Sequence, residues 1–189
     1  GLAFNPTNGH LYLISPAKHT LYELTETGQV ATARDLSASL DFRLVDPQGL
    51  AFAPGGDQTD APTQISLYVA DSRPGDQQQG QIVELSLTQP ALTDLSAATT
   101  IVPTLVHTTD TSQWSSPGPD LMGIGFLPGS NHLLVSDSEI EEFRQPYWQG
   151  ANLFEMTLSG ALVKTYTTYT SGSTSLKPNN FSTEPTDFT

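Results

Sequence analysis

Apolar and polar positions along this chain fall into short runs, and the runs recur in a fixed order. The string Gly1-Leu2-Ala3-Phe4-Asn5-Pro6 returns as Gly49-Leu50-Ala51-Phe52-Ala53-Pro54 and again as Gly123-Ile124-Gly125-Phe126-Leu127-Pro128. A second apolar run follows each copy: Leu11-Tyr12-Leu13-Ile14-Ser15, Leu67-Tyr68-Val69-Ala70-Asp71 and Leu133-Leu134-Val135-Ser136-Asp137. A third reads Leu21-Tyr22-Glu23-Leu24, Ile82-Val83-Glu84-Leu85 and Leu153-Phe154-Glu155-Met156. A weaker fourth closes each unit, near Val30 to Leu36, Ile101 to His107 and Leu162 to Thr168. The runs are short, partly alternating and rich in Val, Ile, Leu, Tyr and Phe, which predicts strands. Turn signals separate them, among them Pro6-Thr7-Asn8-Gly9, Pro54-Gly55-Gly56, Pro128-Gly129-Ser130-Asn131, Thr27-Gly28 and Ser159-Gly160. No segment carries sustained helical periodicity with caps.

Four antiparallel strands per unit, repeated three times, are the sequence signature of propeller blades. The expected fold is therefore all-β, a β-propeller with three four-stranded blades in a single domain, the units spanning about 1–48, 49–122 and 123–189. The Gly-Leu-Ala-Phe strand, apolar and small, is expected innermost, where blades crowd together; the polar fourth run belongs at the outside. A β-sandwich is the competing all-β reading. Asp46-Pro47-Gln48 precedes Gly49, Asp120-Leu121-Met122 precedes Gly123, and Asp187-Phe188-Thr189 ends the chain, so both ends are expected at blade boundaries. A closed ring takes about four to eight blades. The chain is thus expected to be part of a larger ring of about six blades, or to close one by self-association.

Charge narrows the partners. The 189 residues include 20 acidic and 7 basic side chains, a net charge of −13. Nucleic acids and anionic membrane surfaces need a basic patch, so both are disfavoured. Hard cations, which prefer oxygen ligands, suit the balance. Cysteine is absent, which removes disulfides, thiolate metal sites and a cysteine nucleophile. No apolar run approaches the roughly 20 residues of a membrane-spanning helix. The chain begins at Gly1 without Met and is expected to be a processed or excised product. Abundant Thr, Ser, Gly, Pro and Gln with few Lys suits a secreted bacterial β protein, placing it outside the cell or in the periplasm.

Strand direction converts the repeat into a site. The start of a blade's first strand and the end of its second share one end of the sheet. Asp46, Asp120 and Asp187 are therefore expected beside Asp71, Asp137 and Glu139 around one mouth of the channel. Clustered carboxylates repel unless a cation or hydrogen-bond donors compensate them. Ser136-Asp137-Ser138-Glu139-Ile140-Glu141-Glu142, with four carboxylates and two hydroxyls in seven residues, is the strongest candidate for calcium. It lacks the glycine and ligand spacing of an EF-hand loop. The bland reading is that Asp46, Asp120 and Asp187 cap local backbone as Asx-turns and lock the repeat. Asp71 has Arg73 nearby as a possible ion partner. His10 and His132 hold the same repeat position, just before the second strand, and read as framework; His107 ends a fourth strand. No Gly-x-Ser-x-Gly elbow is present to seat a catalytic serine. Trp114, Tyr147 and Trp148 lie in two inserts, Thr108 to Pro119 and Glu141 to Gly150, where exposed aromatics could stack on sugars or anchor a partner. Packing of each insert against its own blade is the favoured reading.

The repeat Asp46-Pro47-Gln48-Gly49-Leu50-Ala51-Phe52-Ala53-Pro54, followed by Leu67-Tyr68-Val69-Ala70-Asp71-Ser72, resembles NHL-type propeller repeats. It is also similar to the related gluconolactonase-like and phytase-like esterase propellers. The resemblance implies the fold, and gluconolactonase-like members hold a catalytic calcium at the channel mouth. Leu134-Val135-Ser136-Asp137-Ser138-Glu139, with Asn152-Leu153-Phe154-Glu155, looks most like secreted bacterial calcium-associated propellers. Three functions fit this pattern. The first is a calcium-binding module for binding or assembly. The second is a calcium-dependent hydrolase acting on a lactone or phosphoester, its metal polarising the scissile group. The third is a metal-free interaction protein of the cell surface.

Overall fold

Strands form where the pattern places them. The computed structural model describes residues 1–37, 44–57, 64–72, 79–88, 102–140, 147 and 149–168. Twelve strands run in order: β1 Leu2–Phe4, β2 Leu11–Ser15, β3 Thr20–Leu24, β4 Val30–Asp35, β5 Asp46–Pro54, β6 Ile65–Ser72, β7 Gln81–Thr88, β8 Val102–Asp110, β9 Leu121–Leu127, β10 His132–Asp137, β11 Leu153–Thr157 and β12 Leu162–Tyr166. They make three four-stranded antiparallel sheets, each in sequence order, β1 to β4, β5 to β8 and β9 to β12. Pro16–Lys18 and Thr111–Gln113 form 3-10 turns. Asp46, expected in a loop, opens β5, and Thr108 to Asp110, expected in an insert, extend β8. Backbone pairing carries both strands past the end of the apolar run.

The sheets stack face to face in chain order. Ala3, Tyr12, Ile14 and Leu21 of the first sheet share a core with Leu50, Leu67, Val69, Val83 and Leu85 of the second. The second sheet's other face gives Ala51, Tyr68, Ala70 and Ile82 to a core shared with Ile124, Leu133, Val135, Phe154 and Met156 of the third. The middle sheet is covered on both faces, and β6 is buried at every position after Ile65. β2 is covered on one face only and alternates between buried and open positions. The difference lies in the covering and not in the apolar pattern, since Leu11–Ile14 of β2 is as continuously apolar as Leu67–Ala70 of β6.

The recurring glycine has a steric cause. β1 packs beside β5, and β5 beside β9. A Cβ on Gly1 would lie 2.3 Å from the Gln48 carbonyl oxygen, and one on Gly49 would lie 2.7 Å from that of Met122 and 2.9 Å from the Ile124 nitrogen. Each first strand thus approaches the backbone of the next through a residue without a side chain. On the first sheet's other face Leu2, Phe4 and Leu13 are 49%, 58% and 38% exposed, an apolar surface that no described residue covers.

Candidate functional site

Two sets of repeat-related carboxylates emerge, one at the ends of the second strands and one in the middle of the third strands.

The first set occupies the positions singled out from sequence. Asp71 is fully buried at the end of β6. Its Oδ1 accepts from the Val45 and Asp46 amides at 3.0 and 2.8 Å, and its Oδ2 from Gln81 Nε2 at 2.7 Å. Asp137, equally buried at the end of β10, accepts the Asp120 amide at 2.8 Å and the Glu139 amide at 3.3 Å. Ser136 Oγ accepts the Gly123 amide at 3.0 Å. The start of each first strand does lie against the end of its second, as strand direction requires. The locking role expected of Asp46 and Asp120 is performed by their partners: Asp71 and Asp137 are the carboxylates that hold backbone amides. Burial of a carboxylate is tolerable there because charge-assisted bonds replace its hydration. Asp120 instead reaches sideways, its Oδ1 accepting from Ser72 Oγ of the neighbouring sheet. Glu139 is exposed. Among the described residues no three His, Asp or Glu side chains come together closely enough to hold a metal ion. Asp187, Trp148, Glu141 and Glu142 of the candidate calcium run, and the Arg73 offered as a partner for Asp71 lie outside the described residues.

The aromatic inserts divide. Asp110 caps the 3-10 turn after β8 through the Ser112 amide at 3.0 Å and so directs the following chain inward. Trp114 is buried, its ring centroid 5.6 Å from that of Phe154, and its Nε1 donates to the Gly160 carbonyl at 3.1 Å. Both contacts belong to the third sheet, so the indole ties the insert to the next sheet and is core, not an exposed anchor. Tyr147 is partly exposed.

The second set was passed over, although its signal stood in the sequence: every third-strand run carries Glu in third place, as Glu23, Glu84 and Glu155. All three are buried, at 4%, 2% and 9% exposure. In each sheet the pairing with the fourth strand slips just after the glutamate, a β-bulge that leaves Ala31, Val106 or Val163 unpaired. Opposite the glutamates stand Thr32, His107 and Lys164.

Their donors differ. Glu23 Oε1 accepts from Asn8 Nδ2 at 3.0 Å and the Tyr12 hydroxyl at 3.0 Å, with His10 Nδ1 at 2.7 Å, while Oε2 accepts from Thr32 Oγ1 at 3.1 Å. Burial, reinforced by the Glu23 charge, pushes the Tyr12 hydroxyl up to about 12. Glu155 has His132 Nδ1 at 2.6 Å on Oε1 and the Tyr166 hydroxyl at 2.5 Å on Oε2. The His132 contact first, then the Tyr166 hydroxyl, hold its carboxyl below the ordinary range, against a smaller opposing effect of burial. That bond in turn raises the Tyr166 hydroxyl, whose ring lies 4.6 Å under Lys164 Nζ. Histidines at the position before the second strand are thus framework residues, as their repeat position indicated.

Glu84 is the exception. Its Oε1 accepts the Gly56 amide at 2.9 Å, but its buried Oε2 has no hydrogen-bond partner. Ser66 stands where the other sheets have histidine. The Tyr68 hydroxyl gives its proton to the Pro54 carbonyl at 3.0 Å. Burial first, then the adjacent Glu84 charge and the closeness of the Glu84 carboxylate to the hydroxyl, raise it far above its usual range. Glu84 lines a cleft of about 240 Å3 together with Gly56, Asp57, Val106, His107 and Ser159. A Cβ on Gly56 would lie 2.5 Å from the Leu158 carbonyl oxygen and 2.8 Å from Glu84 Oε2, so only a residue without a side chain lets the third sheet's turn close over the carboxylate.

No protein-family model matches the chain, and no curated protein matches it. Among solved structures it is similar to a protein of unknown function from Bacteroides caccae, at 10% identity with a TM-score of 0.40. That match covers 88% of this chain, which spans 44% of the length of the other.

Proposed function

We propose that the chain is a run of three propeller-type blades whose role is binding and assembly. One observation carries this reading: consecutive sheets stack in one direction through the same repeat positions, Leu50 and Val69 of the second meeting Ala3 and Tyr12 of the first. The first sheet presents the equivalent Leu2, Phe4 and Leu13 to solvent. A contiguous apolar face of this kind marks an interaction surface. Its natural cover is a sheet that presents small residues there, as β1 presents Ala3 to the second sheet. The third sheet has Gly125 at the matching position of its own outer face, so a second copy can supply that cover head to tail.

Calcium binding and hydrolysis draw no separate support from the geometry, since Asp71 and Asp137 already receive backbone amides. Sedimentation velocity over a wide concentration range tests assembly. Reversible association that Phe4→Lys abolishes is the expected result. A monomer at every concentration, indifferent to Phe4→Lys, would refute self-association.

A further inference from the structure

The cleft between the second and third sheets is built like a site. Its floor is Glu84, 2% exposed, with one carboxylate oxygen lacking any donor. Leaving a buried charged acceptor unsatisfied is costly, because the lost hydration is not replaced. The equivalent glutamates avoid that cost with side chains of their own sheet: Thr32 on Glu23 and Tyr166 on Glu155. The rim holds a second carboxylate, Asp57, with His107, Ser159 and the bulged Val106, all exposed.

We propose that this cleft binds the cationic N–H group of a small ligand or of a partner side chain, a guanidinium or primary ammonium, which supplies the donor that Glu84 Oε2 lacks. Two carboxylates on the lining disfavour an anion. A metal ion fits poorly, because calcium needs about six to eight oxygen ligands and the described residues offer no cluster of three ligating side chains. The volume of about 240 Å3 is small for a nucleotide-sized ligand. It admits a planar cation with a short aliphatic stem, for which Val106 provides the apolar contact. A protonated donor makes a charge-assisted bond, roughly twice as strong as a neutral one.

The test uses methylguanidinium chloride as probe, followed by amide NMR at constant ionic strength. Urea is the neutral control of the same shape, and sodium chloride controls for salt. The expected result is a saturable shift of the Gly56 amide, which already bonds Glu84 Oε1. Affinity should fall at least tenfold for urea and at least tenfold for Glu84→Gln, and several-fold for the rim variant Asp57→Asn. A folded Glu84→Gln protein, judged by its unchanged spectrum elsewhere, that binds methylguanidinium as wild type does would overturn the proposal. So would a wild-type response no greater than that to sodium chloride. Equal affinity for urea would overturn the cationic identity of the ligand.

Discussion

Glu23 and Glu84 occupy the same position of the same strand in adjacent sheets, yet one is saturated with donors and the other is not. Both are buried, both face a bulge in the fourth strand, and both follow a second-strand tyrosine in space. Around Glu23 the donors are Asn8, His10, Tyr12 and Thr32. Around Glu84 serine replaces the histidine, His107 replaces the threonine, and the tyrosine gives its proton elsewhere. The contrast teaches that the repeat preserves the carboxylate itself, while its satisfaction is decided sheet by sheet. Where the framework supplies every donor, the residue is structural. Where it leaves one carboxylate oxygen unpaired beside a cleft, the same residue is the one we propose to meet a ligand.

Three substitutions can break or sharpen that contrast. The largest effect is expected from Glu23→Ala, which strands the Tyr12 hydroxyl and three further donors. A loss of about 3 kcal/mol in urea denaturation is expected, since hydrogen bonds to a charged group are worth about 1.5–3 kcal/mol and the buried Tyr12 hydroxyl loses its acceptor. A loss no greater than an ordinary surface change would mean the network is ornamental.

Glu155 should give a smaller effect with a distinct pH signature. Its folded pKa lies below the unfolded one, so the ionised carboxylate stabilises the fold above the ordinary glutamate range. That stabilisation is lost as pH falls through the lowered folded value. Denaturation midpoints of the wild type should therefore drop on acidification, and Glu155→Gln should flatten the drop while leaving other acid-sensitive groups in place. Parallel profiles for the two proteins would show that the His132 and Tyr166 contacts do not bias its protonation.

The smallest effect is expected at Glu84. Glu84→Gln keeps an oxygen for the Gly56 amide and removes a buried, incompletely paired charge. A change within about 0.5 kcal/mol, of either sign, is expected in the same urea assay. A loss matching that of Glu23→Ala would place the two glutamates in one structural class and remove the contrast.

Much of the scaffold was legible before any coordinates. The fourth strands Val30–Asp35 and Leu162–Tyr166 begin where the weak apolar runs begin, and the shared turn signals separate them correctly. The candidate site was legible only in part. Asp71 and Asp137 were found, but their partners are amides of Val45, Asp46 and Asp120, and any residue carries an amide. Trp114 looked like a loop aromatic because the residues that bury it, Phe154 and Gly160, are 40 or more positions away along the chain.

By itself, then, the sequence determined the strands, their order within each sheet and the three-fold recurrence, because alternation and turn chemistry are local and repeated strings must pack alike. It also marked the small Gly49-Leu50-Ala51-Phe52 strand as the one that packs where neighbouring units crowd together. Tertiary structure decided which carboxylates are spent on backbone, which aromatic is core, which face of the first sheet is bare, and that Glu84 alone of its kind keeps an open lone pair. Those outcomes turn on burial and hydrogen-bond satisfaction, and both depend on what the neighbouring sheet happens to bring within about 3 Å.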